Sequence, residues 1–472
     1  MSRRIAIVGG GFSGALTTVQ LLRQGAGRND RITLIERKGT FGRGLAYGTW
    51  DDNLLLNVPA GNMSALDADP GHFLRYCQSI DPHFNSGSFL PRRIYGDYME
   101  DLLNDTRDAS RAPVQRLTGE AIAIRRDSRQ APWLIKLAGG EEIPADAVIL
   151  ALGHSPPRPP DVLAQLPDAA PLVANPWDPA ALERTGKDGT VVLLGSGHTA
   201  IDTLFRVTSV SDRTWVVLVS RHGLLPRSHR IVPKAPVPSG FPEYLAEHAL
   251  RNARACVLTV RREMRRRIEA GGDWRDVINE LRPHVAQLWR QWAPDQRRRF
   301  LERIRAYWDV HRHRLAPSAH MRLARLLESG RARILAAQLG AARWDGEQIV
   351  LSLRRRPDGQ TVELAAKAVV NCMGPDYRVK SWTSPLARQL CADGLLCHDP
   401  LELGVQVDDQ YRLLDRSGAP TAGLFYVGPM LRAEYWEATA VPELRVHADR
   451  LAARVLALTL ASSAAGNGKS GD

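Results

Sequence analysis

The chain has 472 residues, 44% of them hydrophobic and 24% charged, which suits two or three globular domains with sizeable cores. Its formal net charge is +12. Five scattered cysteines, with no CxxC or Cys-His cluster, argue against a structural zinc site and against a disulfide framework, so no metal is expected. No apolar run is long enough to span a bilayer and no secretory leader precedes the first strand, so the expectation is a cytoplasmic protein with reduced thiols and no membrane partner.

The first element is the apolar run Ile5-Ala6-Ile7-Val8, which breaks into Gly9-Gly10-Gly11-Phe12-Ser13-Gly14 and resumes as Ala15-Leu16-Thr17-Thr18-Val19. This reads as a buried parallel strand, a tight glycine turn and a helix. Gly9 makes the turn, Gly11 lets the backbone approach a pyrophosphate, and Gly14 lets helix and strand pack closely. The helix start, with Phe12 and Ser13, offers unpaired N–H groups and a partial positive charge to phosphates. The next strand, Arg31-Ile32-Thr33-Leu34-Ile35, ends in Glu36 with Arg37 beside it. An acidic side chain about 20 residues beyond the glycines can accept from ribose hydroxyls.

A loop rich in glycine and asparagine follows, through Gly44-Leu45-Ala46-Tyr47-Gly48-Thr49 to Leu56-Asn57-Val58-Pro59 and Ser64. It is too long and glycine-rich for a plain connector. Its place after the ribose strand would let it wrap the reactive ring of the first dinucleotide, with Tyr47 and Asn57 as contacts. Short alternating strands (Ala121–Ile124, Trp133–Leu137) lead to a buried run, Ala147-Val148-Ile149-Leu150-Ala151-Leu152, ending in Gly153 and His154. The proline-rich stretch Ser155–Pro160 reads as a hinge.

The glycine pattern then repeats. Val191-Val192-Leu193-Leu194 breaks into Gly195-Ser196-Gly197-His198-Thr199-Ala200 and resumes as Ile201-Asp202-Thr203-Leu204-Phe205. One such fingerprint is weak evidence, but two in register point to two dinucleotides. After the second, Trp215-Val216-Val217-Leu218-Val219 ends in Ser220, Arg221 and His222, with no carboxylate. A cation there suits a 2′-phosphate, so the second ligand reads as NADPH, with NADH left open.

Residues 241–333 read as an arginine-rich helical insertion. Leu245, Ala249 and Ala253 share one face, and so do Val277, Leu281, Val285, Leu288 and Trp292. Its arginines follow a helical pattern, not a pattern of stacking aromatics, and no nucleic-acid module is recognisable, so nucleic acid is not an expected partner. Strands return at Gln348–Leu353 and at Ala368–Pro375, where Gly374 echoes Gly153. A last strand, Gly423-Leu424-Phe425-Tyr426-Val427, ends in Gly428. The fold class expected is α/β: two Rossmann-like doubly wound dinucleotide-binding domains with a helical insertion. The first domain takes 1–185 and 376–461, the second 186–240 and 334–375, and 462–472 is a disordered tail.

On two fingerprints, two strand-to-glycine crossovers and a returning C-terminal strand, the chain resembles the two-dinucleotide-domain flavoproteins over nearly its whole length. Through Gly44–Thr49, Leu56–Pro59, Leu224-Leu225-Pro226-Arg227-Ser228-His229-Arg230 and Trp308–Pro317 it resembles the bacterial branch with FAD-dependent urate hydroxylases and aspartate N-monooxygenases. One departure is that Gly428-Pro429-Met430 supplies no Asp for a ribityl chain. The resemblance implies FAD on the first domain, reduced by the nicotinamide on the second, and dioxygen captured as a flavin peroxide. It also implies a small anionic substrate. Urate, hydroxylated to 5-hydroxyisourate in purine catabolism, is the first expectation, and N-hydroxylation of an amino acid such as aspartate is the alternative. A flavin reductase and a nucleotide sensor without turnover are rivals. The substrate-side candidates are His229, Arg230 and His311, then Arg227, Arg312 and His313, with His154 and His198 lining the cofactor channel.

Overall fold

The computed structural model describes residues 3–183, 185–186, 188–232, 240–245 and 252–466. The first unit begins with β1 (Arg4–Val8), β2 (Arg31–Glu36) and β3 (Val114–Thr118), continues through β4 (Ala121–Arg125), β5 (Trp133–Leu137) and β6 (Glu142–Ala145), and reaches β7 (Ala147–Leu150). The second unit supplies β8 (Leu172–Val173), β9 (Gly189–Leu194), β10 (Thr214–Ser220), β11 (Ala332–Trp344), β12 (Ile349–Arg355), β13 (Thr361–Ala366) and β14 (Ala368–Asn371). The chain returns to the first with β15 (Arg412–Leu414) and β16 (Pro420–Tyr426).

Both main sheets are α/β and share one plan. The first runs β15-β16-β7-β1-β2-β3, parallel except at β15. The second runs β13-β12-β11-β10-β9-β14-β8, parallel from β11 to β8 and antiparallel through β12 and β13. The strands β7 and β14 are buried along their whole length, which explains why they read as unbroken apolar runs and not as alternation. In each sheet the first strand lies between the second strand and the crossover strand. That reversal of strand order opens a crevice at the carboxyl ends, where dinucleotides bind in this architecture.

Two expected boundaries shift. Leu172 and Val173 pair with Val369 and Val370, so the second sheet gains a strand upstream of position 186. Two residues are too few to show a period. At the other end β11 begins at Ala332, inside the stretch read as helical, because Val216 pairs with Ala332.

Of the two expected faces, Val277, Leu281, Val285, Leu288 and Trp292 are buried together in one cluster. Leu245 and Ala253 join that cluster but not as one helix face, because Leu245 lies in a bend and Ala253 opens the helix Ala253–Glu269 behind the extended Asn252; Ala249 lies outside the described residues, as do 467–472 of the tail. Pro283 lacks an N–H, and the run breaks there into a 3-10 turn, Arg282–His284. The insertion is embedded in the second unit's sequence, yet its core includes Leu403, Ala433 and Trp436 of the first unit. Trp289 stacks on Trp436 at 4.7 Å and donates from Nε1 to the Ala433 carbonyl at 2.9 Å.

Candidate active site

The two fingerprints fold into matching cradles. Gly9 N–H donates to Ile35 O at 2.9 Å, and Gly195 N–H donates to Val219 O at 2.8 Å. Both glycines have positive φ, +109° and +118°. A Cβ on Gly9 would lie 2.2 Å from the Ala151 carbonyl oxygen, and one on Gly195 would lie 2.4 Å from that of Cys372. Only glycine fits either place. Each following helix, Phe12–Arg23 and His198–Val210, starts at a glycine with no side-chain cap and no acidic residue in its first turn. Free N–H groups at an uncharged helix start suit a pyrophosphate, so the residues present fit a dinucleotide in each cradle.

The remaining glycines divide by task. A Cβ at Gly14 would fall 1.9 Å from Gly9 O, so this residue serves the close packing of helix on strand, while the second unit accommodates a fully buried Ala200 at the matching place. Gly11 faces Gly44 Cα of the glycine-rich loop, 3.1 Å from an added Cβ, whereas around Gly197 nothing lies within 4 Å. Gly153 and Gly374 close β7 and β14 with φ of +67° and +90°, and space is open around both. Glu36 accepts from Gly10 N–H at 2.8 Å, and the exposed Arg37 follows it. At Gly428, φ +133°, an added Cβ would lie 3.6 Å from Ser13 Oγ, which brings the end of β16 over the first cradle.

At the end of β10 the exposed Arg221 stands beside His222, whose Nδ1 accepts from Arg356 at 3.0 Å. Burial and the charges of Arg356 and Arg221 lower the His222 pKa, consistent with a neutral accepting ring. Arg356 was not legible as a partner, because it lies just past β12 and meets His222 only through the sheet. Loss of a charge-assisted contact costs about 1.5–3 kcal/mol. If Arg221 makes the 2′-phosphate contact expected from the sequence, Arg221→Ala raises KM for NADPH about 10- to 100-fold and leaves KM for NADH nearly unchanged. Steady-state kinetics with both nucleotides would check this, and equal effects would refute a phosphate role.

Beside the first cradle, Tyr47 packs on Tyr95 at 4.6 Å and edge-on to Phe12 at 5.9 Å. Burial pushes the Tyr47 phenol up to about 12, against the charge of Arg92, so it stays neutral. Asn57 is drawn to the other unit: its carbonyl accepts from His229 Nε2 at 3.0 Å. The segments holding His229 and His313 run side by side, with His229 N–H on Leu315 O at 2.9 Å and Leu315 N–H on Arg227 O at 2.8 Å. His198, at the second helix start, donates from Nε2 to His313 O at 3.0 Å. Four sequence motifs therefore meet at one interface.

The other substrate-side candidates are placed differently. Arg230 pairs with Asp273 at 2.7 Å and Asp276 at 2.8 Å, so its charge is already neutralised inside the insertion. His311 donates to Tyr307 O at 2.7 Å and packs edge-on to Trp274 at 4.9 Å. Arg227 is exposed, and His154 packs edge-on to Tyr377 at 6.0 Å. Burial, reinforced by Arg314, pushes His229 down to about 3. Its neutral-state contribution to docking is thus complete above 6.5, the unshifted value, and is lost as pH falls toward about 3. Thermal midpoints of the wild type should fall faster than those of His229→Gln across that window; parallel curves would count against the contact.

Behind the interface lies a buried ion cluster. Glu437 is 4% exposed and accepts from Trp308 Nε1 at 2.8 Å, with Arg312 Nε at 3.3 Å and His313 Nε2 at 3.8 Å. Arg312 also meets Glu443 at 3.3 Å, and Glu443 meets Arg282 at 2.7 Å. The insertion's arginines are therefore not all solvated, since these two point inward. Among the described residues, no group of three or more His, Cys, Asp and Glu could hold a metal ion, and no helix is long and apolar enough to cross a membrane. Cys77, Cys256 and Cys372 are buried, and all five cysteines are free.

Residues 6–155 match a family model described as FAD-NAD(P)-binding. Over 234 residues the chain is 27% identical to a Baeyer-Villiger monooxygenase of Streptomyces coelicolor, a match covering 48% of this chain and 40% of that protein. The crystal structure of L-lysine 6-monooxygenase from Pseudomonas syringae superposes with a TM-score of 0.64 at 16% identity, covering 97% of this chain and 99% of that one. An ornithine N-hydroxylase of Kutzneria sp. 744, solved with reduced FAD, NADP+ and L-ornithine, gives 0.62 at 13% identity, covering 97% and 100%. The chain thus has the fold of these solved structures, and the FAD-NAD(P)-binding match falls on residues 6–155 of its first unit.

Proposed function

We propose that the protein is an FAD- and NADPH-dependent monooxygenase that N-hydroxylates the amine of a small amino acid or diamine. The observation that carries this reading is the pair of glycine cradles, one on each unit, joined by the contacts of Asn57, His229, His198 and His313. The first cradle, with Glu36 at its ribose end, would hold FAD, and the second, with Arg221, His222 and Arg356, would hold NADPH. When bound, FAD supplies the redox chemistry: it takes two electrons from the nicotinamide and activates dioxygen. The chain's own part is to bind, orient and keep water out. Phe12, Tyr47 and Tyr95 form an apolar wall beside the first cradle, and neutral His229 and His198 tie the units together without charging the interface. Holding reactants in place can supply roughly 7–11 kcal/mol of a barrier. Cys77, Cys372 and Cys256 lie in three separate cores, and Cys391 and Cys397 are neighbours around Gly394.

The likeness to lysine and ornithine enzymes supports an amine substrate, which was the alternative on sequence grounds, and no observation in the interface favours urate. The test is FAD-loaded protein with NADPH and, in turn, ornithine, lysine, cadaverine, aspartate and urate. NADPH oxidation that rises with one amine and yields a hydroxylamine is the expected result. Consumption of urate alone would overturn the amine reading, and dye reduction without product would point to a reductase.

A further inference from the structure

One short strip of the first unit, residues 53–57, is held by the second unit at two points, and between them it is tied to an arginine that itself reaches the second unit. Arg322 donates from Nη1 to Asn53 Oδ1 at 3.2 Å. His229 donates to the Asn57 carbonyl at 3.0 Å. Between them, Arg92 donates from Nε to the Leu55 carbonyl at 3.2 Å and from Nη2 to Asp202 Oδ2 at 2.7 Å. Arg92 belongs to the first unit and opens the helix Arg92–Ala109, whereas Asp202 lies in the first turns of the second fingerprint helix, His198–Val210. Both side chains are largely out of water, at 12% and 14% exposed.

The surroundings of this pair are specific. Backbone bonds from Leu56 N–H to Leu90 O at 2.8 Å and from Arg92 N–H to Leu54 O at 2.9 Å make the strip and the helix start one rigid piece. A small gap lined by Asn53, Leu56, Asn57, His198, Asp202 and Leu315 lies between the two faces here. The charge of Arg92 reaches Tyr47, in the flavin-side loop, and His198, at the second cradle. One guanidinium therefore touches the element carrying the aromatic wall and the helix that would carry the NADPH pyrophosphate. A half-buried ion pair tolerates little displacement, because separating it leaves two poorly solvated charges.

Resting on the cofactor placement above, we propose that Arg92 is a positioning residue. Through Asp202 and the 53–57 strip it would set the register between the second fingerprint helix and the flavin-side loop, and so the efficiency of electron transfer from NADPH to FAD. It would act by aligning the two units, not by contact with either ring. The same device assigns the strip itself a role as the docking seat of the second unit.

The experiment mixes FAD-loaded protein with NADPH without oxygen and follows bleaching of the flavin, for wild type, Arg92→Lys, Arg92→Met, Asp202→Asn and the exchanged double variant Arg92→Asp with Asp202→Arg. Arg92→Met and Asp202→Asn should each slow the limiting bleaching rate about 10- to 100-fold, a loss typical of a small misplacement, while the NADPH concentration giving half that rate changes little. Arg92→Lys should recover part of the loss. Backbone hydrogen exchange over 53–57 in FAD-loaded protein with NADP+ provides a second readout and should quicken in both single variants. Limiting rates and exchange both unchanged in folded variants would overturn the proposal, as would a raised half-saturation with an unchanged limiting rate. Recovery by the exchanged pair supports it, and the lysine and single-variant rates decide the matter if that pair does not fold. If NADPH fails to bleach wild-type flavin, the cofactor reading itself is wrong, and the exchange data alone then judge the docking seat.

Discussion

Gly14→Val should yield no soluble folded protein, whereas Gly197→Asp should fold and yet lose NADPH binding. The contrast follows from where each missing side chain would point. At Gly14 the first added carbon falls 1.9 Å from the Gly9 carbonyl oxygen and 3.2 Å from the Ile7 side chain. Neither a backbone carbonyl at the end of β1 nor a strand packed on both faces can retreat that far, and β1 is the centre of the first sheet. At Gly197 no heavy atom lies within 4 Å, and the backbone is extended at the helix start. Asp is among the best residues for that position in an empty protein, since its carboxylate accepts from the first-turn N–H groups. It would then occupy, with like charge, the groups a pyrophosphate needs. Circular dichroism melts should show Gly197→Asp at or above the wild-type midpoint, with retained flavin and NADPH affinity lower by at least about 100-fold. A soluble Gly14→Val with a normal melt would refute the packing argument; tight NADPH binding by Gly197→Asp would refute the second cradle.

The second large effect is expected at Glu437. Replacing it with Ala leaves Arg312, 7% exposed, with a charge whose nearest counter-ion is then Glu443 at 3.3 Å. Breaking a buried pair by removing one partner costs about 3–5 kcal/mol. Glu437→Ala should therefore melt several degrees lower than wild type, and the further change Arg312→Met should restore part of the loss by removing the stranded charge. A double variant less stable than Glu437→Ala would contradict this account. The pH dependence has a definite sign. Burial would raise the Glu437 carboxyl, but Arg312, His313 and the Trp308 hydrogen bond hold it down to about 2. Its stabilising charge is complete above 4.5, the unshifted value, and is lost as pH falls toward about 2. Acid unfolding of wild type should steepen in that window relative to Glu437→Gln.

The sheets were legible because parallel strands covered on both faces appear as unbroken apolar runs, and because Gly9 and Gly195 have no substitute at their positive φ. The insertion's inner face was legible for the same reason: Val277, Leu281, Val285, Leu288 and Trp292 repeat at helical spacing. What the sequence concealed are pairings between distant segments. Arg92 and Asp202 are 110 positions apart, and Arg92 sits next to Arg93, which is more exposed and pairs instead with Asp52. Arg230 looked free and is held by Asp273 and Asp276, because a charge reveals nothing about its counter-ion until the chain is folded. Glu437 was hidden in a C-terminal stretch without period, although its burial makes it one of the costliest carboxylates to remove. The two-residue strand Leu172–Val173 was below the length at which any pattern can be seen.

The seating of Trp289 on Trp436 has a consequence for how the chain is made. The two tryptophans are separated by almost 150 positions, with β11 to β16 between them. During synthesis the insertion emerges long before the surface that covers its apolar face. Non-local closure of this kind is slow, because the chain entropy of a long loop is lost before the contact is gained. The second unit excised by itself would keep its fingerprint and expose Trp289, Trp292 and Phe300, so a fragment ending before Leu403 should be held by chaperones or aggregate. Maturation of either half is in this sense a property of the whole polypeptide.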